Sequence, residues 1–448
     1  MKPSIYILSF ISLLGVSCRK FLDVQPTQQV DAAAAITDAN SAETAVNGLY
    51  NLLGSDSYYG SNFQALSYLS GGDIQWTGSQ SAPQQIAARQ ITADNGNVGA
   101  SWRAIYRTIL SANYIIDAVP TLNDPLFAAA KKNQFLGEAY FIRALSYFDL
   151  ARGWGGVQLI LKPTRVPGDH AGTKRSSLAD TYAQVLSDLN KAAELLPTGT
   201  NRNRATQKTV WALKARYFLY RQQWDSAASN ASKIITDAAN YQLLKPYSAF
   251  FANNAAATAE SVFEIGYSVS FKNGHYNWWL PPALGGRREW APGAQLVSLL
   301  NDPATGGNRS AVIARTAPPG NLWYGKLYYR TPTGTDPAYL IRVAELYLIR
   351  AEARAQLQQP ADALADINAV RDRAGLAPSN AATQAALLLA IENERRLEFA
   401  FEGDRWFNLV RTNRVADVLG LTDSRKYVFP VPADELLADE DLTPNPGY

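Results

Sequence analysis

The sequence predicts a mainly α protein, built from pairs of helices, interrupted by long irregular loops and containing little strand. Three observations carry that prediction. Apolar residues recur at helical spacing in several segments. Two of those segments run through a short polar turn into a second, alanine-rich helix. Two long stretches show almost no periodicity.

The chain opens with Lys2 and an almost wholly apolar run from Ile5 to Val16. A bilayer needs about 20 apolar residues, so this run is too short to span one. Gly15 and Ser17 place small residues directly before Cys18, the layout of a cleavable export signal. Residues 1–17 therefore read as the signal peptide, and Cys18 as the lipid-bearing first residue of a mature chain 18–448. Several acyl chains at about 0.8 kcal/mol per buried methylene would tether such a chain stably. The alternative is an ordinary signal peptide with a fortuitous cysteine. Gly15 also stands where leucine is commonest in lipoprotein signals.

Helices follow. Phe141, Ala144, Leu145 and Phe148 recur at spacings of three and four, as one buried helix face requires. The glycines of Gly153-Trp154-Gly155-Gly156 come after that helix and read as its termination, since a phosphate-cradling loop precedes a helix. Val210, Leu213, Tyr217 and Tyr220 mark a helix over Thr209–Tyr220, and a turn at Arg221–Gln223 leads to a second at Trp224–Ile235. Leu340, Ala344, Tyr347, Leu348 and Ala351 predict a helix over Leu340–Leu357. Its partner is Pro360–Arg373, with proline where the first turn tolerates it. Alanines such as Ala227, Ala231, Ala361 and Ala365 let the paired helices approach closely. The units resemble tetratricopeptide repeats, although no strict 34-residue period runs through the chain. Val262, Phe263 and Ile265 predict one short strand over Ser261–Ser268. The aperiodic stretches, about 54–98 and about 253–335, are rich in Gly and aromatic residues; loops this long are functional or disordered, and their aromatic content argues against disorder.

Composition removes several function classes. With 42 Lys and Arg against 39 Asp and Glu and no basic run, the chain lacks what tracks phosphates, which argues against nucleic acid as a partner. With Cys18 the only cysteine, there is no internal disulfide and no thiol for a nucleophile or metal site. His170 and His275 stand far apart, neither with an i, i+4 partner. A calcium held by loop carboxylates such as Asp302 would lack a recognisable calcium loop. No cofactor is implied.

Further blocks converge on a family. Phe21-Leu22-Asp23-Val24-Gln25-Pro26 follows the cysteine. Then come Trp102-Arg103-Ala104-Ile105-Tyr106, Gly137-Glu138-Ala139-Tyr140-Phe141-Ile142-Arg143-Ala144 and Arg342-Val343-Ala344-Glu345-Leu346. Glu394-Arg395-Arg396-Leu397-Glu398-Phe399-Ala400-Phe401-Glu402-Gly403-Asp404-Arg405-Trp406, Phe429-Pro430-Val431-Pro432 and Asn445-Pro446-Gly447-Tyr448 complete the set. In this order the chain resembles the SusD/RagB family of outer-membrane nutrient-binding lipoproteins over nearly its whole mature length. The resemblance implies a helical scaffold with a loop-built ligand face and an oligosaccharide or glycan ligand, with peptides in some members. It also implies an outer-membrane, lipid-anchored, surface-exposed location and a partner, a SusC-like TonB-dependent transporter barrel on which the lipoprotein sits as a lid. No catalysis is implied. A peptide-binding member of the same uptake system, or a scaffold that only stabilises the transporter, are the alternatives. Glu394, Arg395, Glu398, Glu402 and Arg405 read as a charge-assisted network holding helices together. Phe399, Phe401, Trp406 and Phe407 read as core, and the final Asn-Pro-Gly as a turn that tucks in Tyr448.

Sugars present flat apolar faces ringed by hydroxyls, so a glycan site wants aromatic platforms beside paired donors and acceptors. Tyr58, Tyr59, Asp73, Gln75 and Trp76 fit that description in the first long loop. Asn277-Trp278-Trp279, Arg287-Arg288-Glu289-Trp290 and Trp323-Tyr324 fit it in the second. The candidate ligand residues are therefore Trp76, Trp290, Arg288, Trp278, Trp279, Trp323, Tyr324, Asp73 and Tyr59. The two loops must converge on one face for them to act together.

Overall fold

The computed structural model describes residues 35–166 and 168–448. Cys18 and the block Phe21–Pro26 lie outside them. In chain order the elements are α1 (Ala39–Leu53), α2 (Asn62–Ser70), β1 (Ile74–Trp76), α3 (Ser81–Ala88), α4 (Gly96–Ala118), α5 (Ala129–Trp154), α6 (Leu178–Leu195), α7 (Gln207–Tyr220) and α8 (Trp224–Ile235). These are followed by β2 (Ser261–Ile265), α9 (His275–Trp279), β3 (Trp290–Pro292), α10 (Ala294–Asn301), β4 (Ile313–Arg315), β5 (Trp323–Gly325) and β6 (Ala338–Arg342). The C-terminal helices are α11 (Val343–Gln356), α12 (Pro360–Arg373), α13 (Gln384–Glu398), α14 (Arg405–Arg411), α15 (Val415–Leu419) and α16 (Ala433–Ala438).

Helical pairs form the scaffold: α4 packs on α5, α5 on α6, α7 on α8 and α11 on α12, with α11 also covering α8. Local chemistry sets several starts. Asp38 with Ser41, and Thr206 with Thr209, form reciprocal caps at α1 and α7, which satisfy N–H groups that helix geometry orphans. Ser177 and Thr383 cap α6 and α13. Gly155, at φ 83°, ends α5 in a conformation open to glycine, as its position after the apolar run predicts.

Two elements differ from the sequence reading. Leu340–Arg342 is strand, and helix begins only at Val343. Here β6 pairs antiparallel with β2, and all five of its residues are buried; the ladder and burial of Tyr339, Leu340 and Ile341 override the helical spacing. The aperiodic stretches also carry α2, β1 and α3 in the first and α9, α10, β3, β4 and β5 in the second. These elements are too short for a period to show.

A buried charge network ties the C-terminal block to the scaffold. Glu398 accepts from Arg309 Nε (2.9 Å), Arg342 Nη1 (2.9 Å) and Arg373. Glu394 takes Arg309 and Arg371, Glu260 takes Arg342 and Arg373, and Glu402 faces Arg342 with both oxygens. Burial raises a carboxyl's proton affinity, yet the three arginines hold Glu398 well below the usual range. The signature acids thus pair with arginines from other elements rather than with each other. Arg395 goes to Asp404, and Arg405 approaches Asp73 at 3.5 Å. Phe399, Phe401, Trp406 and Phe407 are core. Asn445 Nδ2 donates to the carbonyls of Trp154 and Phe429, and Tyr448 Oη to Val428, so the terminal turn is tucked in as expected.

Candidate functional site

The two long loops meet through one short ladder. β1 pairs antiparallel with β3, setting Trp76 opposite Trp290 and Ile74 opposite Pro292. Thr77 extends the join: its N–H donates to the Glu289 carbonyl (2.8 Å) and its Oγ1 to the Arg288 carbonyl (2.6 Å). Gly293 N–H donates to the Asp73 carbonyl from the other end.

Around that ladder the tryptophans form one cluster in two layers. Trp279 and Trp290 are buried, edge to face with each other at 5.4 Å and each edge-on to Tyr68. Above them Trp278 stacks on Trp290 at 5.3 Å, with planes 21° apart, and Trp76 lies 6.3 Å from Trp278. Trp76, Trp278 and Trp323 are half-buried. The hairpin of β4 and β5 brings in Trp323, opposite Arg315. Its Gly325 lets the strand lie directly on the cluster: a Cβ there would stand 2.8 Å from Trp279 and 2.9 Å from Phe401.

His275 sits under the platform. Its ring stacks on Tyr328 at 4.2 Å, and its Nδ1 lies 2.7 Å from Asn273 Oδ1, with Tyr68 Oη 3.2 Å from Nε2. Complete burial pushes its pKa down to about 3, so the imidazole is neutral.

Polar groups ring the tryptophans. Arg287 lies over Trp278, its Cζ 5.0 Å from the ring, and donates to Glu289 Oε1. Arg288 adopts a left-handed backbone (φ 49°), its N–H bound to the Leu280 carbonyl and its Nε to the Trp323 carbonyl at 2.8 Å. Arg315 reaches over Trp323, 5.7 Å from the ring. Gln75, between Ile74 and Trp76 on β1, is exposed.

The candidate residues therefore separate. Trp76 and Trp278 form the partly open layer, Trp279 and Trp290 lie buried beneath it, and half-buried Trp323 and buried Tyr324 sit on the adjoining hairpin, tied to Arg288 through the Trp323 carbonyl. Two expectations are corrected. Tyr59 is buried against Tyr58 and Phe63, with its Oη donating to Asp149 at 2.8 Å, which leaves it no open face for a ligand. Asp73 is buried, and its carboxylate is engaged by Arg396 at 2.5–3.1 Å and approached by Arg405. Both hold the first loop in place, Asp73 by fixing β1 to the end of α13. Sequence reasoning missed Arg315, His275 and Tyr68 as members of the assembly, because only the hairpin register and the tertiary fold bring them to the tryptophans.

A cavity of about 700 Å³ opens elsewhere, among α11, α13, α14 and the α7–α8 turn, beside Trp224, Glu352 and Arg411. None of the clustered tryptophans lines it. Among the described residues no group of three His, Cys, Asp or Glu side chains is arranged to hold a metal ion. Nor is any helix there long and apolar enough to cross a membrane.

Comparison with known proteins agrees with this architecture. Residues 20–219 match the family model described as starch-binding associating with outer membrane, and residues 323–420 match that of the SusD family. A SusD-like protein of Formosa agariphila is 26% identical, the match covering 99% of each chain. One of Bacteroides ovatus is 24% identical over 98% of this chain and 88% of its own. Among solved structures, a SusD superfamily protein from Bacteroides vulgatus superposes with a TM-score of 0.81 at 25% identity, covering 92% of this chain and 100% of its own. A laminarin-binding SusD-like protein does so at 0.80 and 23%, with the same coverage. The two family models together span both ends of the helical scaffold, and with full-length relatives on either side they leave one assignment: the chain belongs to the SusD/RagB family.

Proposed function

We propose that this protein captures oligosaccharide at the cell surface and delivers it to a TonB-dependent transporter barrel, without catalysis. The observation that supports this most is the open layer of Trp76 and Trp278, backed by buried Trp279 and Trp290, with Arg288 joining it to the half-buried Trp323 of the next hairpin. Stacked indoles offer flat apolar area at fixed orientation, and the guanidinium donates to ring and hydroxyl oxygens. A laminarin-binding relative of the same fold is consistent with a sugar ligand. A binding role also suits the carboxylates of the signature block: Glu394, Glu398 and Glu402 are buried and engaged in ion pairs with arginines, whereas a glycosidase pair must face its substrate. Lipidation at Cys18 and exposure on the outer membrane complete the proposal, with the SusC-like barrel as partner.

The test is titration of the protein with a panel of oligosaccharides and peptides, followed by tryptophan fluorescence and calorimetry. Saturable binding to one glycan class, weakened in Trp278→Ala and Trp323→Ala, supports the proposal. Binding confined to peptides, or none to any glycan, overturns it. Co-purification of a barrel of outer-membrane size with the tagged chain tests the partner.

A further inference from the structure

We propose that the ligand of the tryptophan platform is an anionic glycan, one whose sugars carry carboxylate or sulfate. This rests on the glycan-capture reading and narrows it.

The argument is one of charge at the platform. Three guanidinium groups stand on the platform and the hairpin beside it: Arg287 over Trp278, Arg315 over Trp323, and Arg288 joined to the Trp323 carbonyl. One carboxylate, Glu289, accompanies them, and it pairs with Arg287. The other nearby acid, Asp73, is already engaged by Arg396 and Arg405. Among the described residues, neither Arg288 nor Arg315 has a carboxylate within 4 Å; their Nε atoms donate to backbone carbonyls of Trp323 and Asn321. The chain as a whole is nearly balanced, 42 basic to 39 acidic, so this local surplus does not follow from a generally basic composition.

The chemistry of the rim points the same way. A ring of neutral sugar hydroxyls is matched best by donors and acceptors together, and arginine supplies donors alone. A guanidinium fork instead matches carboxylate and sulfate oxygens in pairs. Arg288 is also held in an unfavourable left-handed backbone, clamped by Leu280 on one side and Thr77 on the other. Non-glycine residues in that region cost on the order of 1 kcal/mol and persist where surrounding structure fixes them. Here the fixed conformation aims the arginine at Trp323. Its half-burial lowers its proton affinity, with no acid alongside to offset the desolvation; a ligand anion would supply that acid.

The experiment is calorimetry on the full-length chain in detergent, with oligogalacturonate and a sulfated galactan oligosaccharide as anionic probes. The methyl-esterified and desulfated forms of the same chains, and a neutral β-glucan oligosaccharide, are the comparisons. At least one anionic probe should bind tenfold or more tightly than its neutral counterpart, and the advantage should shrink as salt rises from 50 to 500 mM. The two anionic arms separate carboxylate from sulfate. Arg288→Gln with Arg315→Gln should bring the anionic-to-neutral affinity ratio close to one, and Arg315→Lys should recover part of it, with melting temperature recorded as the folding control. Salt-insensitive binding of neutral glycans equal to or tighter than anionic ones, still dependent on Trp278, would overturn the anionic class and leave glycan capture standing. Silence with every glycan would remove both.

Discussion

Trp76 and Trp290 face each other across the antiparallel ladder that joins the two long loops, yet only Trp76 keeps part of its indole open. The pair divides the labour between contact and support, and the two residues should respond differently to the same truncation. Trp290→Ala removes a ring packed against Tyr68, Trp278, Trp279 and His275, and should cost about 3–5 kcal/mol of stability. Trp278→Ala should leave the melting temperature nearly unchanged and lower glycan affinity at least about tenfold, equivalent to about 1.4 kcal/mol. Thermal melts beside ligand titrations check both.

Gly78 offers a subtler test. A Cβ at this position would stand 2.4 Å from Trp76 Cζ2 and 2.9 Å from the Glu289 carboxyl carbon. In Gly78→Ala the indole must move, because the ladder and the Thr77–Glu289 hydrogen bond fix the backbone leading into this position. The expected outcome is a weaker ligand signal and an altered near-ultraviolet dichroism, with a stability change of only about 1 kcal/mol.

His275 gives the site a pH dependence of known sign. Its folded pKa of about 3 lies below the unfolded value of about 6.5, so between those limits the unfolded chain binds more protons. The stability it contributes is fully present above pH 6.5 and lost as pH falls toward 3, by up to about 1.4 kcal/mol per pH unit. The histidine therefore lowers the melting temperature on acidification, and His275→Gln should lose less stability than wild type between pH 6.5 and 4.5. Burial raises Glu402 to about 7 and Asp336 to about 6, and both favour the folded state on acidification, so the difference between wild type and variant is what isolates the histidine.

The buried acids should be far less forgiving than surface ones. Glu398→Gln leaves Arg309, Arg342 and Arg373 short of their shared carboxylate and should cost about 3–5 kcal/mol. Glu194→Gln breaks only the exposed pair with Lys191 and should stay within about 0.5 kcal/mol. Chemical denaturation of both variants measures the contrast.

How much of this was legible in the sequence depends on range. Helical pairs were, because α7, α8 and α12 write their buried faces into local spacing. The helix start at Val343 was not, since a strand pairing with distant β2 decides the state of Leu340–Arg342. The aromatic residues of the site were readable as types; their layering was not. Trp278 and Trp279 are neighbours in sequence, yet one is half-open and the other buried, a difference set by Tyr68 and Phe401 far along the chain. Tyr59 and Asp73 carried the right chemistry for a ligand site, but Asp149 and Arg396 claim them. Among charged groups, the sequence marked the acids of the C-terminal block and hid their arginine partners, which arrive from three other elements.

The ladder between Trp76 and Trp290 also has a meaning in time. Its strands are separated by the whole of α3 to α9, so the platform forms only when the two ends of that length are brought together. Closing so long a loop is entropically slow compared with zipping up a helical hairpin. The helical pairs should thus mature first and the aromatic surface last. A chain that displays a working platform has therefore already closed one of its long loops, and recovery of ligand binding after dilution from denaturant should lag behind recovery of helical signal.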